Sequence, residues 1–130
     1  MPTCTFDVSG DDELIVPVII ANPNTARQLT VEAVIDTGAT TTQIETHIAK
    51  RLDLPIHDLE EIRSIYSSMQ CNSYFANIAF ESQDGIIMNL GEYRIVDGLD
   101  TTVECLIARD ILHNGLLIYN GINSYFTLSF

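Results

Sequence analysis

The sequence has little positive charge. Of its 130 residues, 6 are Lys or Arg and 18 are Asp or Glu, which gives a formal net charge of −12. Nucleic acids and anionic membrane surfaces repel so acidic a chain, and we therefore expect neither as a partner. We interpret the acidity as a contribution to solubility rather than as an acidic binding patch.

Cysteines are few and widely separated, and long apolar runs are missing. Cys4, Cys71 and Cys105 form neither a CxxC motif nor a cluster with histidine, so we predict no disulfide framework and no metal site. The first residues lack the basic and apolar segments of a secretory signal, and no apolar run approaches the roughly 20 residues of a membrane-spanning helix. We therefore expect a cytoplasmic location.

Apolar residues, by contrast, are plentiful, at 46% of the chain. This composition and length predict one folded domain over residues 1–130 with a real hydrophobic core. Apolar and alternating segments separated by turn residues predict mostly short strands. The predicted strands are Leu14–Ile20, Leu29–Ile35, Tyr74–Phe80, Ile86–Val96, Thr102–Ile107, Leu116–Tyr119 and Tyr125–Phe130.

Four local signals refine this pattern. Gly91 predicts a bulge in its strand, and Asn120-Gly121 predicts a hairpin between the last two strands. Thr42 and Glu45 have capping-box spacing, which predicts a helix from about Gln43 to Leu52. A second helix of one or two turns is expected at Asp110–His113, with Gly115 as its C-terminal cap.

An ionisable residue ends the second predicted strand, in the segment AVIDTGATTTQI. Asp36 could be an ordinary turn aspartate that accepts backbone hydrogen bonds. The run DTGATTT also looks somewhat like the phosphate loop of actin-type ATPases, but that fold closes two domains over its nucleotide and is several times longer. The remaining interpretation is an aspartic peptidase, in which two adjacent carboxylates share a proton and activate water without a metal or other cofactor.

A second motif supports the last interpretation. Val34–Thr40 resembles the apolar-apolar-Asp-Thr-Gly-Ala loop of the retropepsin-like (retroviral-type) aspartic peptidases. Leu106–Leu112, some seventy residues later, resembles the family's second hallmark, apolar-apolar-Gly-x-Asp/Asn-x-Leu. The resemblance spans roughly Leu14 to Phe130 and is closest to the single-domain cellular members. It implies an all-β, closed-barrel retropepsin fold with one or two short helices and a flap hairpin.

The resemblance also implies a mechanism and a set of site residues. Because Asp-Thr-Gly occurs once, it implies a homodimer in which each subunit contributes Asp36 as the catalytic residue. Thr37 and Gly38 would form the active-site loop, and terminal strands would interleave between subunits. A peptide or protein substrate would lie between that loop and a flap within Ile65–Ser73. The implied substrate-binding residues are Ala39, Thr40, Thr41, Ser68, Met69, Gln70, Cys71 and Ala108.

This chain departs from the family pattern at three places. The flap segment has no glycine, Ala108 stands where Gly is usual, and Thr40 replaces an Asp that pairs with Arg in many viral members. Arg109 must therefore find another carboxylate or remain solvated. Cys71 is expected to be exposed at the flap tip. These departures leave an alternative open, a weak or inactive retropepsin-like domain that serves as a dimerisation or peptide-binding module.

Overall fold

Strands make up most of the regular structure. The computed structural model describes residues 2–63, 68–99 and 102–130, and the side chains of residues 60–69 are outside this description. Within these ranges there are two short helices, α1 (Thr46–Arg51) and α2 (Arg109–Leu112). The strands are β1 (Thr3–Asp7), β2 (Ile15–Ala21), β3 (Gln28–Ile35), β4 (Gln43–Ile44), β5 (Ile56–Arg63), β6 (Ser68–Glu81), β7 (Ile87–Val96), β8 (Cys105–Ile107), β9 (Leu116–Asn120) and β10 (Tyr125–Ser129).

Six strands close into a barrel, which confirms the predicted fold class. The hydrogen-bonded order is β2-β3-β8-β4-β7-β6, and pairing of β6 with β2 completes the ring. Alternate residues of each strand point inward, so Val18, Ile20, Ile78 and Phe80 are almost fully buried. The predicted bulge is present in β7, where Ile78 and Ala79 pair with Gly91 and Asn89 and leave one residue unpaired.

A separate sheet contains both terminal strands, in the order β1-β10-β9. The sequence analysis missed β1, although Cys4 and Phe6 alternate with exposed residues. Phe6 stacks on Phe126 of β10 with ring centroids 5.3 Å apart, which anchors β1 to the core. Because β10 is paired on both sides within one chain, it has no free edge for the interleaving that the family resemblance implied.

The predicted flap corresponds to the antiparallel β5–β6 hairpin, in which Arg63 pairs with Ser68. Residues 64–67, between these two strands, lie outside the described residues. The expectation of an exposed Cys71 was wrong, because this residue pairs with Glu60 inside the ladder and its side chain is buried. Burial, with a smaller contribution from the charge of Asp97, raises the pKa of the Cys71 thiol, so a reactive thiolate is disfavoured.

Thr42 is not the helix cap that its spacing suggested. Residues 43 and 44 form β4, and α1 begins after Glu45, whose side chain makes no capping hydrogen bond. The Thr42 hydroxyl instead donates to Asp110 Oδ1 at 2.7 Å and accepts from the Ala108 amide at 3.1 Å. The Thr42 amide donates to Asp110 Oδ2 at 2.9 Å, so the buried Thr42 and the half-buried Asp110 tie the start of β4 to α2.

Gly115 has a steric role rather than the predicted capping role. Helix α2 is capped by His113, and a Cβ atom at Gly115 would lie 2.5 Å from the Phe130 ring. That ring packs against Phe80 of the barrel, with centroids 5.6 Å apart. The missing side chain at residue 115 therefore lets Phe130 connect the terminal sheet to the barrel.

We expect Thr42→Val to lower the free energy of unfolding by about 2–3 kcal/mol, because it removes two hydrogen bonds and leaves the Ala108 amide buried without a partner. Urea denaturation at fixed protein concentration measures this change. The matched control is Thr5→Val at an exposed position of β1, which should shift stability by no more than about 0.5 kcal/mol. Equal effects of the two substitutions would contradict the anchoring role of Thr42.

We expect Gly115→Ala to destabilise the fold by about 1–2 kcal/mol, because the new methyl group displaces the Phe130 ring. In a Phe130→Ala background the same substitution should cost less than about 0.5 kcal/mol, within the usual scatter of additive changes. Thermal or urea unfolding of the four proteins of this cycle gives the coupling. If Gly115→Ala lowers the free energy of unfolding equally with and without the Phe130 ring, the steric explanation is wrong.

Candidate active site

Asp36 lies directly after the last residue of β3, beside the start of the second motif. Parallel pairing of β3 with β8 aligns Ile35 with Ile107, and the Asp36 amide donates to the Ile107 carbonyl at 2.9 Å. The barrel therefore brings together two segments that are far apart in sequence. Asp36 itself is half-buried, which keeps its carboxylate within reach of solvent and ligands.

The loop after Asp36 folds back onto its carboxylate. Asp36 Oδ1 accepts a hydrogen bond from the Gly38 amide at 2.8 Å, and the Ala39 amide donates to the Asp36 carbonyl at 3.3 Å. A Cβ atom at Gly38 would lie only 3.2 Å from Asp36 Oδ1, so glycine suits this close approach. Within the part of the chain that the structure describes, Asp36 Oδ2 makes no hydrogen bond.

Arg109 holds the same loop from the second motif. Its guanidinium Nη1 donates to the Thr37 carbonyl at 2.8 Å, and its amide donates to the Ala39 carbonyl at 3.1 Å. The sequence analysis expected a carboxylate partner or solvation for Arg109, and the structure shows a backbone partner instead. Together with the Asp110–Thr42 pair, these bonds fix the Asp36 loop against α2. Sequence reasoning missed this anchor because the capping-box spacing of Thr42 suggested another role.

The base of the β5–β6 hairpin is also anchored to the barrel. Asp97, which follows β7, accepts hydrogen bonds from the Tyr74 hydroxyl at 2.8 Å and from the Asn72 amide at 3.0 Å. Burial, together with the hydrogen bond to Asp97 and its charge, raises the pKa of Tyr74, so the phenol stays a donor. The residue that follows β7 thus holds β6 close to the point where the hairpin extends beyond the barrel.

The predicted substrate-binding residues fall into two groups. Beside Asp36, Thr40 is exposed, whereas Ala39 and Thr41 are half-buried and Ala108 is fully buried. The methyl group of Ala108 therefore has no surface to offer a ligand. On β6, Gln70 is exposed and Cys71 is buried. Ser68 and Met69 belong to β6, but their side chains lie outside the description.

Metal and membrane features are absent from the described ranges, 2–63, 68–99 and 102–130. Among these residues no group of three or more His, Cys, Asp or Glu side chains could hold a metal ion. No helix among them is long and apolar enough to cross a membrane. The three cysteines are buried free thiols, and burial with the charges of Asp110 and Glu104 raises the pKa of Cys105 to about 12.

Similar proteins are found by comparing structures and not by comparing sequences. No protein-family model and no curated protein matches the chain. It resembles a retropepsin-like aspartic protease from Rickettsia conorii, with a TM-score of 0.69, 11% identity, and coverage of 99% of this chain and 91% of the other.

A second similar structure is the retroviral protease-like domain of Ddi1 from Leishmania major. The TM-score is 0.53 at 15% identity, covering 84% of this chain and 82% of that domain. At such identities the likeness establishes the fold and not the chemistry. Since the Asp-Thr-Gly loop and the second motif also lie side by side, the chain has the fold of the retropepsin-like aspartic proteases.

Proposed function

We propose that this protein is an aspartic endopeptidase that works as a homodimer, with one Asp36 from each subunit in a single active site. The observation that carries the proposal is the placement of Asp36. It follows a barrel strand, its carboxylate is oriented by the Gly38 amide, and its loop is held by Arg109 from the second motif. This arrangement leaves Oδ2 available for a water molecule or a second carboxylate.

The mechanism needs two carboxylates with different protonation. Two adjacent carboxylates cannot both ionise cheaply, so the pair retains one proton. The ionised Asp36 accepts a proton from a bound water as it attacks the peptide carbonyl, and the protonated Asp36 donates a hydrogen bond to that carbonyl oxygen. Collapse of the tetrahedral intermediate then transfers a proton to the leaving amine and breaks the C–N bond.

The substrate in this proposal is an extended peptide. Backbone groups of Gly38, Ala39 and Thr40 form one wall of the cleft, and the β5–β6 hairpin covers it through Ser68–Cys71. Main-chain hydrogen bonds to both walls would hold the peptide as an added strand. Of the predicted flap contacts, the Gln70 side chain supports this role best because it is exposed. The buried Cys71 and Ala108 would contribute only through their backbone.

The free edge of β9 is the surface that we assign to the second subunit. Leu116, Ile118 and Ile122 are 50%, 52% and 96% exposed, and β9 follows α2 after a short turn. Antiparallel pairing of β9 with β9 of a second copy would join two three-stranded sheets and cover this apolar edge. In this proposal β9–β9 pairing takes the place of the interleaved terminal strands that the family resemblance implied. Interleaving at β10 is blocked, because β1 pairs with the edge of β10 that faces away from β9.

The proposal also includes one peptidase domain over residues 1–130 and a reducing compartment such as the cytoplasm. Three separate buried thiols support that location, since such a compartment keeps them reduced. The alternative function is a peptide-binding or dimerisation module with the same fold. An inactive wild type that still dimerises would support this alternative.

We expect Asp36→Asn to reduce peptide cleavage by at least about 10²–10⁴-fold, because the amide cannot act as a general base. Its side-chain oxygen can still accept the Gly38 hydrogen bond, so folding and dimerisation should be retained. Cleavage of a mixed peptide library over acid to neutral pH measures activity, and sedimentation velocity measures the dimer. Asp11→Asn in an exposed turn is the matched control and should keep full activity. Undiminished cleavage by Asp36→Asn would refute the catalytic assignment.

We expect Ile118→Glu to shift the protein from dimer to monomer and to abolish cleavage at the same concentrations. The two-fold axis would bring the new carboxylates close together in a desolvated interface, where like charges are strongly unfavourable. Ile86→Glu is the control, because Ile86 is 60% exposed in the turn before β7. A fully active Ile118→Glu dimer would show that subunits meet elsewhere.

A further inference from the structure

A second concave surface lies on the outer face of the barrel, across β3, β2, β6 and β7. Cross-strand pairing arranges its residues in rows, and one row contains Thr30, Ile19, Ala79 and Asn89. Thr30 is six residues before Asp36 on an extended strand, which separates this row from the catalytic carboxylate by about 20 Å. The surface is therefore distinct from the cleft assigned to peptide cleavage.

The shape of this groove follows from side-chain size. Ala21 and Ala79 lie on its floor along the central strands, whereas longer side chains stand on the flanking strands. Gly91, at the β7 bulge with a φ of +105°, leaves further space on one side. The resulting volume is about 710 Å³. Along β6 the groove runs from Asn77 to Glu81, about 13 Å, which matches four or five extended residues.

The lining chemistry suits a polypeptide backbone. Gln28, Asn77 and Asn89 are exposed amides around the groove, and each carries both hydrogen-bond donors and an acceptor. None of these three amides has a side-chain hydrogen bond within the described chain. Ile19 and Ile87 supply apolar surface between them. Amide groups beside an apolar floor can bind peptide groups and alternate apolar side chains of an extended segment.

The charged side chain that lines the groove is a carboxylate, and further carboxylates flank it. Glu81 lines it, Glu92 pairs with Asn77 across the strands, and Glu32 continues the β3 wall beyond Thr30. In the described structure none of these carboxylates forms a salt bridge, and no Lys or Arg lines the groove. Two arginines lie farther out: Arg27, whose guanidinium donates to the Arg51 carbonyl at 3.2 Å, and Arg94, two residues beyond Glu92 on β7. Because the charged residue inside the groove is Glu81, charge complementarity favours a cationic occupant there.

We propose that this groove is an exosite that binds a basic, extended segment of a polypeptide partner. The bound segment lies along β2 and β6, its apolar side chains contact Ile19 and Ile87, and its Lys or Arg side chains pair with Glu81 and Glu92. The proposal does not depend on catalysis by Asp36, because the groove and its charges are separate from that loop.

The test uses a fluorescently labelled pentapeptide with alternating Lys and Ile and its counterpart with Glu in place of Lys. Anisotropy is measured with the full-length Asp36→Asn protein, so that cleavage cannot interfere. We expect the Lys peptide to bind more tightly than the Glu peptide. Its affinity should fall when salt is added. Equal binding of both peptides, or no binding of either, would overturn the proposal.

Variants in the same background locate the binding site. The double variant Glu81→Gln with Glu92→Gln should lower the affinity for the Lys peptide about three- to tenfold, as expected for the loss of two exposed ion pairs. Asn77→Trp should abolish binding by filling the groove from an exposed strand position. Asp11→Asn with Glu13→Gln removes the same charge from an exposed turn and should leave affinity unchanged. The proposal is wrong if both groove variants bind the Lys peptide as tightly as their parent does. It is also wrong if spermine competes with the labelled peptide as strongly as unlabelled peptide does, because the groove would then select charge and not a polypeptide.

Discussion

The candidate active site depends on the parallel pairing of β3 with β8. This contact is only three residue pairs long, yet it places the end of the Asp-Thr-Gly strand beside the start of the second motif. The Asp36 amide, the Arg109 guanidinium and the Thr42–Asp110 pair then hold one loop from several directions. A loop held at so many points, with one carboxylate oxygen bonded to the Gly38 amide, has the preorganisation that acid–base chemistry requires.

The terminal sheet contains the surface proposed for contact with a second subunit, and it is linked to the candidate site along the chain, since β9 follows α2. In this protein β1 and β9 flank β10 within one chain, and the contact of Phe130 with Phe80 joins that sheet to the barrel. The two outer strands, β1 and β9, each leave one edge unpaired among the described residues, and β9 is the one that follows α2 and the loop-holding Arg109. A subunit contact at β9 would lie on the same structural unit that orients Asp36. In the proposed dimer, a short stretch of chain would therefore couple dimerisation to the alignment of the site.

Several sequence predictions succeeded because they relied on strong local signals. The strand before Asp36, the Gly91 bulge and the closed-barrel class were confirmed. Others failed where a distant partner outweighs a local pattern. Thr42 has cap spacing but bonds Asp110, 68 residues away. Gly115 resembles a helix cap, but its space is taken by the Phe130 ring. Strand β1 was missed because its partner, β10, lies at the other end of the chain.

The sequence by itself determined which residues are candidates for the chemistry and most of the segments that form the barrel, because alternation and the two motifs are local properties of the chain. It also determined the acidic surface, since charge follows from composition alone. Only the tertiary structure decided that Cys71 is buried, that Arg109 bonds a carbonyl, and that an acidic groove lies on the outer barrel face. These properties arise from contacts between segments far apart in sequence, and such contacts exist only once the barrel has closed.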